Sequence, residues 1–168
     1  STSFDASIMD LWIPLVCGAT LHLYPDNRVL GEHLADFIDR YQITMLPFIS
    51  SMALASLPVN EMTRSLKTIC FGGEAFPDEL IDLWLDRVKL IQAYGPTEAT
   101  VAVSSIVCRK NVSGRLIGKP GANNILYILD NLLNPVPVGT SGELYIGGEQ
   151  VAAGYLNNHA ATAAQFIN

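Results

Sequence analysis

The sequence predicts an α/β protein: a parallel βαβ sheet layer followed by an antiparallel, β-rich part. Three observations predict it. Up to about Thr100, short apolar runs alternate with amphipathic helical stretches over short links, the pattern of parallel strands with right-handed crossovers. Beyond that point the apolar runs are separated by Gly, Pro and Asn turns, and no helical pattern returns until the end. Apolar residues make up 49% of the 168-residue chain, enough to bury a substantial core and to set disorder aside.

The elements follow in order. TLHLY (Thr20 to Tyr24) reads as a short strand closed by Pro25-Asp26-Asn27. GEHLADFIDRY places Leu34, Phe37, Ile38 and Tyr41 on one helical face. ITMLPF (Ile43 to Phe48) is a second strand, in which Pro47 must end or bulge the ladder. SSMALASL is a short helix stopped by Pro58. LKTICF (Leu66 to Phe71) is a third strand and runs into GGEAFP. Pro77 suits the first helical position, and DELIDLWLDRV then sets Leu80, Ile81, Trp84, Leu85 and Val88 on one side. KLIQAY (Lys89 to Tyr94) is a fourth strand. AVSSIVCR, ILYILD and ELYIGG are strands of the second part, and NPVPVGTSGEL is a turn-rich hairpin connection.

Charge and cysteine usage exclude several functions. The formal charge is −6 and Lys/Arg are not clustered, which argues against nucleic acid as a partner. No apolar run reaches transmembrane length, and STSFDAS is no signal peptide, so no membrane role is expected. Cys17, Cys70 and Cys108 show no CxxC spacing and imply reduced thiols in the cytoplasm. His22, His33 and His159 are scattered, without metal-ligand spacing. The chain opens on an already patterned STSFDASIMDLW without Met and stops inside a helical pattern. It is therefore expected to be cut at both ends from a larger protein, with residues 1–100 the βαβ portion and 101–168 the β-rich portion of one domain.

In open α/β sheets ligands bind beyond the carboxyl ends of the strands. Two glycine loops fall there: GGEAFP after LKTICF, and YGPTEAT after KLIQAY. Glycines let backbone N–H groups approach a ligand closely. Thr97 supplies a hydroxyl that could donate to a phosphate. Glu98 supplies a carboxylate of the kind that shares Mg²⁺ with phosphates. Tyr94 offers a flat face for stacking a base. Taken singly, each loop could be a plain turn with a solvated carboxylate; two on consecutive strands make that reading weaker.

FDASIMDLW, FGGEAFP, AYGPTEAT, GRLIGKPG and GELYIGGEQVAAGYLN, in this order, resemble the adenylate-forming superfamily. The likeness is to the amino-acid-activating, AMP-binding adenylation domains of nonribosomal peptide synthetases, and it spans essentially the whole chain. It implies a two-step ligase reaction. An amino acid carboxylate attacks the α-phosphate of ATP, with Mg²⁺, giving aminoacyl-AMP and pyrophosphate. A phosphopantetheine thiol on a partner carrier domain then takes the aminoacyl group. Peptidyl carrier and condensation domains of the same assembly line are the implied partners.

Carried over by motif, Asp5 pairs with the substrate α-ammonium; it also reads as the N-cap of the helix ASIMDLW, and both roles can hold together. The side-chain pocket is implied to be Ala6, Met9, Pro47, Cys70, Gly72, Ala93, Val101 and Ala102. None of these is charged, so an uncharged amino acid is expected. Gly73, Glu74 and Ala75 border the adenine, Tyr94 stacks on it, Gly95 belongs to the loop around it, Thr97 contacts phosphate and Glu98 binds Mg²⁺. Gln92 stands where the family has Asn, one methylene shorter. Gln150 stands for a usual Gly and Ala153 for a usual Arg. That segment is read as structural, a hairpin strand and a turn, and neither change touches the proposed metal or substrate groups; Gln150 would be strained if its φ is positive.

The family's Lys-bearing phosphate loop, its ribose-binding Asp and the small C-terminal domain with its catalytic Lys have no counterpart here. Alone, the chain is expected not to catalyse adenylation at a useful rate. Two other readings stay open: an acyl- or aryl-acid ligase, for which Asp5 would have no use, and a degenerate nucleotide-binding or docking module.

Overall fold

The computed structural model describes residues 2–25, 30–110 and 115–167. Asp26 and Asn27 of the expected first turn, and Gly114 of GRLIGKPG, lie outside them. A five-stranded sheet carries the fold, in the order β1 (Met45–Ile49), β2 (Thr68–Gly72), β3 (Lys89–Tyr94), β4 (Ser104–Val107), β5 (Lys119–Pro120). β1, β2 and β3 are parallel, as the alternation predicts; β4 pairs antiparallel with β3, and β5 antiparallel with β4. The change at about Thr100 is thus a reversal of strand direction inside one sheet. The hairpin β6 (Asn124–Leu129) and β7 (Glu143–Gly148) forms a second sheet.

Among the described residues five α-helices accompany the strands: α1 (Ser7–Val16), α2 (Gly31–Tyr41), α3 (Ser51–Ser56), α4 (Asp78–Leu85) and α5 (His159–Gln165). The helical face read from the sequence buries Leu34 and Ile38 of α2, with Ala35 between them, while Phe37 is half-buried and Tyr41 stays exposed. α3 starts on Ser50, whose hydroxyl accepts from the Ala53 N–H at 3.2 Å. α4 begins one residue after Pro77, which serves as its N-cap rather than its first turn.

One face of the sheet, through Ile69, Phe71 and Leu90, packs against α2, α3 and α4 to form the core. Trp84 is its largest member at 1% exposed, and Phe71 stacks on Phe76 with ring centroids 3.9 Å apart. Pro47 does bulge its strand: the β1–β2 register shifts between Leu46 and Ile49.

TLHLY is not a strand. Residues 19–25 run without regular structure and without ladder pairing. They dock through side chains instead, Tyr24 edge-on to Phe37 at 4.9 Å and His22 near Tyr41 at 5.0 Å. The β propensity of the stretch is satisfied only by a neighbouring strand, and among the described residues none lies beside it. No helix of the described residues is long and apolar enough to cross a membrane.

Removing the central core ring tests this packing. Trp84→Ala should cost about 3–5 kcal/mol, read as a lowered midpoint in equilibrium denaturation.

Candidate functional site

The loops after β2 and β3 leave the same end of the sheet, because the two strands are parallel and paired through Gly72 opposite Ala93. Strand alternation then sorts the candidate residues by face. Leu90, Gln92 and Tyr94 lie on the helix-covered side. Cys70, Gly72 and Ala93 lie on the other. Cys70 and Ala93 are buried. Gly72 has no room for a side chain, since a β-carbon there would sit 2.2 Å from the Ala93 carbonyl oxygen.

α1 packs against β1. Its residue Asp10 lies close enough to Cys70 to add to the upward push on that thiol, which burial raises to about 11. Asp10 itself is half-buried, and desolvation moves its carboxyl up from the ordinary Asp range. The sequence reading passed over Asp10. Asp10 stands one helical turn after Ala6, which is 2% exposed.

Asp5 is not a helix cap. α1 is preceded by Ala6 and has no side-chain cap bond. The Asp5 carboxylate instead accepts from the Thr97 hydroxyl at 2.5 Å, across 92 residues of sequence. This bond joins the entry of α1 to the loop beyond β3. Thr97–Ala99 form a single 3-10 turn after Pro96, holding Thr97 and Glu98 side by side at the mouth of the sheet.

After that turn the chain doubles back tightly. Thr100 and Val101 both have positive φ, 56° and 69°. The Ala102 N–H donates to the Thr100 carbonyl at 2.9 Å, so Val101 centres a γ-turn of the rarer, strained kind. The turn brings Val101 and Ala102 over Gly95, both half-buried. The loop closes where the Val103 N–H donates to the Tyr94 carbonyl at 2.8 Å.

Gly73, Glu74 and Ala75 are exposed beyond β2, with Gly73 at φ +75°. The Glu74 carboxylate accepts from the Ser51 N–H at 2.7 Å, tying this loop to the start of α3. Gln92 is 4% exposed, in register between Phe71 and Ile106.

The segment after β7 reaches the candidate metal ligand through Ala152 and Tyr155, not through the departures Gln150 and Ala153. The Ala152 N–H donates to the Glu98 carbonyl at 2.8 Å, the Thr100 hydroxyl donates to the Gln150 carbonyl at 2.8 Å, and the Tyr155 hydroxyl donates to Glu98 Oε1. That last bond holds the Glu98 carboxyl below its ordinary value and pushes the Tyr155 phenol up. Gln150 is also not strained, because its φ is not positive; Gly148 and Gly154 take the left-handed positions. Ala153 is exposed.

A magnesium ion shared with a nucleotide needs only one or two protein carboxylates. Glu98 fits that need, since Oε2 stands outside the Tyr155 bond. No cluster of three His, Cys, Asp or Glu suited to a protein-only metal cage occurs among the described residues.

A cavity of about 820 Å³ lies elsewhere, between α1, residues 19–24, α2 and the free edge of β1. Of the expected pocket residues only Pro47 lines it. Among the described residues no strand pairs with that edge of β1, and most of the candidate residues sit at the strand ends instead.

The tight loop is sensitive to a single methyl. A β-carbon on Gly95 would lie 2.5 Å from the Val101 oxygen and 2.8 Å from Ala102 Cα. Overpacking of this kind costs about 1–3 kcal/mol. Gly95→Ala should therefore speed hydrogen exchange at the Ala102 and Val103 amides by about tenfold or more, with the core amides of β2 unchanged.

The family described as AMP-binding enzyme matches residues 1–156. A linear gramicidin synthase from Brevibacillus parabrevis is 41% identical over 169 residues, covering 99% of this chain and 2% of that protein. The chain thus spans a small part of the curated relatives it matches. Among solved structures, a four-domain nonribosomal peptide synthetase bound to AMP and glycine superimposes with a TM-score of 0.85 at 34% identity, over 100% of this chain and 13% of that one. A second synthetase, in its AMPPNP-bound form, gives 0.87 at 26% identity, over 98% and 19%. The chain belongs to the AMP-binding enzyme family, in the branch of nonribosomal peptide synthetase adenylation domains.

Proposed function

We propose that this chain carries the amino acid pocket and part of the ATP site of an amino-acid adenylation domain, working in the cytoplasm within a larger synthetase. The observation that carries the reading is the Asp5–Thr97 hydrogen bond at the strand ends. It brings together a carboxylate suited to an α-ammonium and a hydroxyl suited to a phosphate. The AMP, glycine and AMPPNP named for the related structures support the same assignment.

In this reading the sheet end separates two subsites. Tyr94 stacks on adenine, with Gln92 behind it and the exposed Gly73, Glu74 and Ala75 at its border. Ala6, Met9, Pro47, Cys70, Gly72, Ala93, Val101 and Ala102 receive the side chain of an uncharged amino acid. Docking of the ammonium gives Asp5 a cationic partner, and the Thr97 hydroxyl turns from Asp5 to the phosphate. A substrate carboxylate oxygen bonds to the α-phosphorus, the α–β anhydride bond breaks, and pyrophosphate leaves. Magnesium, held by Glu98 and the phosphates, would neutralise phosphate charge. Positioning and charge supply most of the catalysis, so few titrating side chains are needed. A phosphopantetheine thiol of a carrier domain then takes the aminoacyl group and AMP leaves.

The test is amino-acid-dependent exchange of labelled pyrophosphate into ATP by the full-length protein, across the proteinogenic amino acids. Exchange with one or a few uncharged amino acids is expected. Asp5→Ala and Glu98→Ala should each lower it by about a hundredfold or more, as for loss of a charged contact made at the reacting groups. Exchange indifferent to Asp5→Ala would refute the ammonium role and leave an acyl- or aryl-acid substrate.

A further inference from the structure

Three hydrogen bonds fasten residues 150–155 to the YGPTEAT loop, and they differ in what they hold. The bonds from the Thr100 hydroxyl to the Gln150 carbonyl and from the Ala152 N–H to the Glu98 carbonyl, each 2.8 Å, fix backbone. The bond from the Tyr155 hydroxyl to Glu98 Oε1 fixes a side chain.

Tyr155 is itself anchored from behind. Its N–H donates to the Thr162 hydroxyl oxygen at 2.9 Å, and the Thr162 hydroxyl donates to the Asn158 carbonyl at 2.9 Å in the first turn of α5. Its ring meets Phe166 edge-on at 5.5 Å. Gly154 makes the approach possible. It sits at φ +132°, and a β-carbon there would lie 2.5 Å from Thr162 Cγ2. α5 therefore fixes the phenol, and the phenol fixes the carboxylate.

We infer that Tyr155 is a positioning residue for Glu98: it occupies one carboxylate oxygen and presents the other to the metal–nucleotide complex. The inference rests on the reading of Glu98 as the magnesium ligand. A solvated Glu must give up rotamer freedom each time it binds an ion. A carboxylate already held in one rotamer has less to lose, which is why outer partners of metal ligands affect affinity without touching the metal.

The test uses the full-length protein and Mn²⁺ as the probe, with binding in the presence of AMPPNP followed by the electron paramagnetic resonance signal of free Mn²⁺. Tyr155→Phe keeps the ring against Phe166 and removes only the hydroxyl. It should weaken Mn²⁺ binding by about tenfold, the lower end of the range for outer partners of a metal ligand. Metal-free AMPPNP binding should stay at the wild-type value. Glu98→Ala should lose the Mn²⁺ site, and adding Tyr155→Phe to Glu98→Ala should cause no further loss, since the two act on one contact. Wild-type Mn²⁺ affinity in Tyr155→Phe, with Glu98→Ala defective, would overturn the positioning role alone. So would losses that simply add in the double variant, which mark a general structural effect. Wild-type Mn²⁺ affinity in Glu98→Ala would overturn the metal reading of Glu98, and the role of Tyr155 with it.

Discussion

The close backbone contact of Gly72 with Ala93 is the constraint on which the site depends. The two residues are partners in a parallel ladder, and nothing larger than hydrogen fits between Gly72 Cα and the Ala93 carbonyl. That approach aligns the ends of β2 and β3, so their loops emerge side by side. It also sets the alternation that turns Gln92 and Tyr94 to one face and Cys70, Gly72 and Ala93 to the other. On the proposed function, a nucleotide and a second substrate would be held on opposite sides of one strand end, meeting at its tip.

At that tip the chain stores strain. A β-branched residue at positive φ, as at Val101, persists only where its surroundings over-determine it. They do so here. Thr100 is tied to Gln150, Glu98 to Ala152, and the γ-turn is pressed onto Gly95. The second sheet, through the segment that follows β7, thus serves as a brace for a loop of the first. This explains why a chain with a parallel sheet carries an antiparallel appendage at the strand ends: the parallel layer places the loops, and the appendage keeps one of them bent.

Much of this was legible in the sequence. The burying faces of α2 and α4 follow from spacing alone, because helical period and burial coincide at Leu34, Ile38, Leu80, Ile81 and Trp84. The two glycine loops could be placed because each directly follows an apolar run. TLHLY misled because strand propensity says nothing of whether a partner strand is present. Asp10 was missed because one acidic residue on an apolar helix has no period to announce it. Tyr155 was missed for a different reason. Its partner Glu98 is 57 positions away, and a hydrogen bond between two loops leaves no trace in local pattern. Whether Gln150 is strained was not legible in the sequence, because only the backbone locates the left-handed positions, Gly148 and Gly154.

The pairing of Tyr94 with Ser104 pins both ends of the loop that carries Thr97, Glu98, Val101 and Ala102. Its contour length is therefore set by the sheet. A residue inserted between those two strand ends could be accommodated only by breaking the γ-turn or by slipping β4, and a slip by one would turn Ser104 and Ile106 to the opposite face. Exchange of side chains carries no such penalty. Selectivity grafting at this site is accordingly a matter of replacing residues at fixed length, and chimaeras cut inside residues 95–103 should fail wherever the donor loop is longer or shorter.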